Sequence, residues 1–132
     1  MAILIKGGKI VNEASPPPDM AVLEAGDDPG TLAQALGRIK AIAVRFPAFG
    51  DGRGYSIARL LRERYGYRGE LRAIGQVARD NLHFMAQCGF DAFELRAGED
   101  AQAALAAFND FSETYQATVA RTQPLFRRRV VT

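Results

Sequence analysis

A chain of 132 residues, 48% hydrophobic and with a net charge of only +2, has the size and apolar content of one folded domain. That composition excludes a disordered chain, and the near-balance of 17 basic against 15 acidic residues leaves no electrostatic footprint for nucleic acid. One cysteine, Cys88, and one histidine, His83, exclude an internal disulfide, a cysteine-based zinc site, an iron–sulfur cluster and a multi-histidine metal site within the chain.

The first twenty residues separate from the rest by composition. Ala2–Ile5 and Lys9–Val11 flank Gly7-Gly8, the pattern of a short hairpin. Ser15-Pro16-Pro17-Pro18 then stops regular structure and makes a stiff, extended linker. From residue 21 apolar strands alternate with helical patterns. Ala21–Glu24 reads as a short strand, Asp27-Asp28-Pro29-Gly30 as a turn, and Thr31–Ile39 as a helix with Leu32, Leu36 and Ile39 on one face. Ala41–Phe46 is a strand that is apolar except for Arg45. A loop over Pro47–Gly54 leads to a helix at Tyr55–Tyr65, on which Ile57, Leu60, Leu61 and Tyr65 recur at helical spacing.

Glu70–Ile74 is the next strand, followed by Gly75 and a helix at Ala78–Gln87 with Leu82 and Met85 inward. Gly89 suits the left-handed cap that ends this helix. Phe90–Leu95 is a last strand. Asp100 is a suitable N-cap for a helix from Ala101 to about Ala117, with Leu105, Phe108, Phe111 and Tyr115 as its apolar stripe. The tail from Gln123 to Thr132 carries Arg127-Arg128-Arg129. The division is thus a hairpin and linker over 1–20, an α/β domain over 21–122 and a basic tail over 123–132.

Four strand–helix units of 20–25 residues with short turns imply parallel strands joined by right-handed crossovers. An open parallel sheet and a half (βα)8 barrel both fit; the even unit lengths favour the half-barrel. No segment approaches ~18 uninterrupted apolar residues, and the N-terminus lacks a basic leader with an apolar run. A cytoplasmic protein with no membrane or nucleic-acid partner is expected.

In parallel α/β folds functional groups gather at the carboxyl ends of strands. Three such ends are rich in polar residues. Asp51-Gly52-Arg53-Gly54 opens directly into a helix; its glycines let backbone amides approach a ligand, Arg53 offers a two-pronged grip and Ser56 a hydroxyl. That makes a cradle for a sulfate-, sulfite- or phosphate-sized anion. The plainer alternative is a tight turn in which Asp51 caps the helix and Arg53 pairs locally. Arg79 and Asp80 follow the next strand, and Glu94 and Arg96 end the last. They are either further members of one rim or surface residues, with Glu94 pairing with Arg72 or Arg96. Asp51, Asp80 and Glu94 are the carboxylates available for proton transfer. His83 and Cys88 are expected to be structural, and Phe46, Phe49, Phe90 and Phe93 to be core. The loop matches neither a Walker A sequence nor a dinucleotide fingerprint, so no cofactor is expected.

The runs Phe49-Gly50-Asp51-Gly52-Arg53-Gly54-Tyr55-Ser56-Ile57-Ala58, Gly69-Glu70-Leu71-Arg72-Ala73-Ile74-Gly75, Arg79-Asp80-Asn81-Leu82 and Cys88-Gly89-Phe90-Asp91-Ala92-Phe93-Glu94 resemble a small bacterial family. Its members are labelled probable oxidoreductases involved in sulfite reduction and are otherwise of unknown function. The resemblance covers roughly residues 20–115, with Asn81 standing where the family has Gln. It implies a place in assimilatory sulfur metabolism, beside the sulfite reductase haemoprotein. Multi-electron reduction of sulfite needs redox cofactors, and this chain carries no flavin, nicotinamide or haem signature. An accessory or regulatory partner of sulfite reductase is therefore the first reading. A small enzyme acting on an oxyanion is the second. A homodimer that seals an open sheet edge is the third.

Overall fold

The computed structural model describes residues 2–48 and 50–110. Phe49, the expected extension of the last helix to Ala117 with Phe111 and Tyr115, and the tail from Gln123 lie outside the described residues. Six strands form one sheet: β1 (Ala2–Lys6), β2 (Lys9–Glu13), β3 (Ala21–Leu23), β4 (Ala41–Phe46), β5 (Glu70–Gly75) and β6 (Ala92–Glu94). Their order is β2-β1-β6-β5-β4-β3. The four later strands are parallel, and the hairpin adds to β6 antiparallel, Leu4 opposite Glu94 and Lys6 opposite Ala92. Gly7 and Gly8 take φ +62° and +76°, the positive values that a tight two-residue hairpin turn needs.

Because β3, β4, β5 and β6 lie side by side in chain order, right-handed crossovers put every connection on the same face. That face is the core. It collects Ile5, Leu23, Ile42, Val44, Phe46, Leu71, Ala73 and Phe93 from the strands, and Ile57, Leu61, Leu82 and Met85 from the helices. Helix α1 spans Arg53–Arg59, α2 spans Leu82–Cys88, and a third helix, α3, covers 101–110. Leu105 and Phe108 of α3 pack on the core as their spacing predicts, the Phe108 ring lying 5.5 Å from that of Phe93.

The helical segments depart from the sequence expectation in type more than in place. Thr31–Ile39 is not an α-helix; a 3-10 helix spans Pro29–Ala35 instead. Asp28 caps it through Gly30 N–H at 2.8 Å. Pro29 and Gly30 at one end and Gly37 at the other leave too short a stretch to nucleate an α-helix. The helix expected from Ala78 likewise begins as a 3-10 turn over Arg79–Asn81 before α2. The helix expected over Tyr55–Tyr65 starts at Arg53 and widens into a π turn over Leu60–Arg64, closed by Tyr65 N–H on Leu60 O at 3.0 Å. From this turn Arg62 donates to Gly89 O (2.9 Å), Tyr67 O (2.9 Å) and Gly69 O (2.8 Å). One guanidinium thus satisfies three carbonyls that would otherwise be left without donors.

Gly89 holds the left-handed cap expected of it, at φ +116°. A Cβ there would stand 2.6 Å from Cγ of Arg62. Gly89→Ala is therefore expected to cost about 2 kcal/mol, through backbone strain and displacement of the Arg62 bonds. Urea denaturation measures this; a change of less than about 0.5 kcal/mol, the usual range for an inert surface substitution, would mean that Arg62 does not restrain the cap.

The helix-free face is concave, as two contacts require. Arg72 on β5 donates to Glu13 on β2 at 2.6 and 3.0 Å. In a flat sheet their Cα atoms, three strands and four residues apart, would be separated by roughly 19 Å. An arginine and a glutamate cannot bridge that, so the sheet must coil. The linker gives the same answer: β2 and β3 are at opposite edges, yet eight chain steps join them and include a turn closed by Met20 N–H on Pro17 O. The inside of the curve is lined by small or fully buried residues, with Ala43 opposite Arg72 and Arg72 opposite Ala92. Arg72, though charged, is completely buried, and Glu70 gives it a second carboxylate at 2.9 Å.

Candidate functional site

Parallel order brings the turns after β4, β5 and β6 to one end of the sheet, as expected. The turns also touch. Gln76 N–H donates to Phe46 O at 2.8 Å, Arg96 N–H to Val77 O at 3.0 Å, and Asn81 Nδ2 lies 3.4 Å from the Tyr55 hydroxyl. An aromatic chain runs inward through this rim, from Phe84 (44% exposed) to Tyr55, Phe46 and Phe90.

The charged side chains of the rim other than Glu94 are matched within their own turns. Asp51 accepts from Arg53 three times: the backbone N–H at 3.0 Å, Nε at 3.0 Å and Nη2 at 2.6 Å. The cap position itself is Gly52. Gly54 serves packing: a Cβ there would lie 2.6 Å from the Phe46 ring, so its bareness admits that ring against α1. The guanidinium of Arg53 reaches back toward Gly26 in the turn after β3. Ser56 is exposed on α1. Arg79 and Asp80 are exposed and 4.0 Å apart. Arg96 pairs with Glu99 at 3.0 Å. Cys88 is buried and accepts from Arg59 Nε at 3.4 Å; His83 is half-buried on α2.

The hydrogen bonds from the Arg53 side chain, and then that from its backbone N–H, hold the Asp51 carboxyl down to about 2, against an ordinary 3.8. The shift is downward, so the pair is at full strength above 3.8 and is lost as pH falls through about 2. A carboxyl-detected NMR titration should find that midpoint, and Arg53→Ala should return it toward 3.8. A wild-type midpoint near 4 would mean that Arg53 swings free in solution.

Sequence reasoning did not find the cleft of about 630 Å³ that opens on the concave face. Its walls come from both edges of the sheet: Glu13 and the linker through Pro16 on one side, Val22 and Arg45 on the other, with Glu94, Arg96 and Glu99 at the end of β6. Arg45 pairs with Glu24 at 3.1 Å, and Glu13 with Arg72. Glu94 is half-buried and has no hydrogen-bond or ion-pair partner among the described residues. It does not pair with Arg72, whose carboxylates are Glu13 and Glu70. The one available signal was the isolated arginines Arg45 and Arg72 in apolar strands, which mark a face that is not plain core.

A half-open mixed sheet with its helices on one face and a polar cleft on the other defines the class: a small α/β domain. The chain belongs to DUF934, a family of bacterial proteins of unknown function, whose profile matches residues 21–126. No curated protein and no solved structure matches it. No helix among the described residues is long and apolar enough to cross a membrane, and no group of three or more His, Cys, Asp or Glu among them is placed to hold a metal ion. The family match starts at residue 21, so the hairpin that supplies Glu13 lies outside it.

Proposed function

We propose that this protein is an accessory or regulatory partner of assimilatory sulfite reduction, working in the cytoplasm by docking on the sulfite reductase haemoprotein. The likeness of its rim sequences to proteins labelled for sulfite reduction supplies the pathway. The observation that carries docking over catalysis is the local pairing of the rim arginines. Arg53 is already gripped in bidentate fashion by Asp51, and Arg96 is paired through Nε with Glu99. An oxyanion substrate would have to displace a charge-assisted pair at each. The residues Asp51, Arg53, Ser56, Arg79, Asp80, Glu94 and Arg96 then act as a contact surface around the strand ends.

The architecture suits such a role. Four parallel strands in chain order, coiled around a concave face, support a half-(βα)8-barrel-like reading. Half-barrels leave edges that a partner can cover, and β2 and β3 are both edge strands here. A second copy of the chain is the simplest cover, which favours a homodimer in the absence of the haemoprotein. The test is co-purification of the tagged full-length chain with the haemoprotein, together with growth of a deletion strain on sulfate or sulfite. Binding and slowed growth are expected. No association and unchanged growth would remove the proposal.

A further inference from the structure

Among the charged residues facing the concave cleft, Glu94 stands apart. Arg45 is matched by Glu24, Arg96 by Glu99, and Glu13 by the buried Arg72. Glu94 has no such partner among the described residues, although it is half-buried. It sits beside an apolar floor: its cross-strand neighbour Leu4, on the same face, is fully buried. The cleft rim carries one exposed apolar side chain, Val22 at 44% exposure. A volume of about 630 Å³ admits one large side chain with its neighbours.

We propose that Glu94 is the acceptor for an arginine or lysine side chain that a partner protein inserts into the concave cleft, with an apolar residue of the same segment covering Val22. The identity of the partner rests on the docking reading above; the chemistry of the cleft does not. The inserted cation supplies the one charge the cleft lacks, and the apolar flank excludes water from the pair, the arrangement in which an interfacial ion pair counts most. Glu94 has no bond to lose among the described residues, so Glu94→Gln should leave folding unchanged while removing the acceptor charge.

Two measurements on the full chain test this. The first uses methylguanidinium, the bare head group of arginine, followed by NMR. Shifts confined to Glu94, Leu95 and the linker in the wild type, absent in Glu94→Gln, are expected. No shift in the wild type, or equal shifts in both, overturns the proposal. The second compares haemoprotein affinity of the wild type, Glu94→Gln and the control Glu63→Gln, whose carboxylate is exposed on the π turn away from the cleft. A loss of tenfold or more for Glu94→Gln alone is expected. Equal affinities overturn Glu94 as the acceptor while docking stands. Guanidinium binding without haemoprotein binding keeps the cleft chemistry and removes that partner. An unchanged urea midpoint confirms that Glu94→Gln folds.

Discussion

Replacing Glu13 by leucine should destabilise the protein by about 3 kcal/mol, the lower end of what breaking a buried ion pair costs. Arg72 is completely buried, and Glu13 gives it two of its hydrogen bonds, at 2.6 and 3.0 Å. Without Glu13 the guanidinium keeps only Glu70 and remains out of water. Urea denaturation measures the loss. Glu13→Leu combined with Arg72→Met should recover most of it, because an apolar pair of similar volume carries no stranded charge. If the double substitution is no better than the single one, the cost lies in packing of the hairpin and not in the ion pair.

The same pair has a pH signature. The Arg72 hydrogen bond lowers the pKa of Glu13 from its ordinary 4.5, against the opposing effect of burial. A lowered value means that the stabilisation is complete above 4.5 and fades as pH falls through the shifted value. Acid should therefore loosen the hairpin first, read as faster hydrogen exchange in β1 and β2. In Glu13→Gln that acid dependence should be smaller.

Gly75→Ala is the second large effect, at least about 3 kcal/mol by the strain and clash mechanisms that produce severe single substitutions. Gly75 takes φ +91°, and a Cβ there would lie 2.5 Å from Phe46 O and 3.1 Å from Phe46 N. Those are backbone atoms of the neighbouring strand and cannot swing aside as a side chain would. Gln76 donates to that same Phe46 oxygen at 2.8 Å, so the bond that joins the ends of β4 and β5 should open as well. Thermal unfolding and exchange at the Gln76 amide report both effects. A variant as stable as the wild type would place Gly75 in an ordinary extended conformation.

Much of the fold was legible because it is written in short-range patterns. Gly7-Gly8 between alternating strands marked the hairpin, the apolar runs at Ala41 and Glu70 marked central strands, and Gly89 marked a helix end. Helix type was not legible. Whether residues 29–39 or 60–64 close their hydrogen bonds three, four or five residues on depends on what they pack against. Arg62 makes the point: beside the nearby carbonyls of Tyr67 and Gly69 it binds that of Gly89, 27 residues on, which only the assembled fold brings to it. The shared end of the three polar turns followed from parallel strand order. The cleft did not, because its walls bring the two edges of the sheet, β2 and β3, toward each other through coiling that no local pattern encodes. Arg72 was one of two arginines, with Arg96, considered as a partner for Glu94, whereas curvature hands it to Glu13.

An inner seam of the sheet joins the earliest described strand to the latest, Leu4 of β1 lying opposite Glu94 of β6. During synthesis the hairpin emerges well before β6 and has no strand edge to dock on until β6 has followed. Contacts between such distant positions form late and slow the approach to the native state. Until then the edge of β6 and the inside of the curve stand open, so newly made chains should be most vulnerable to proteolysis and self-association in the interval before that seam closes.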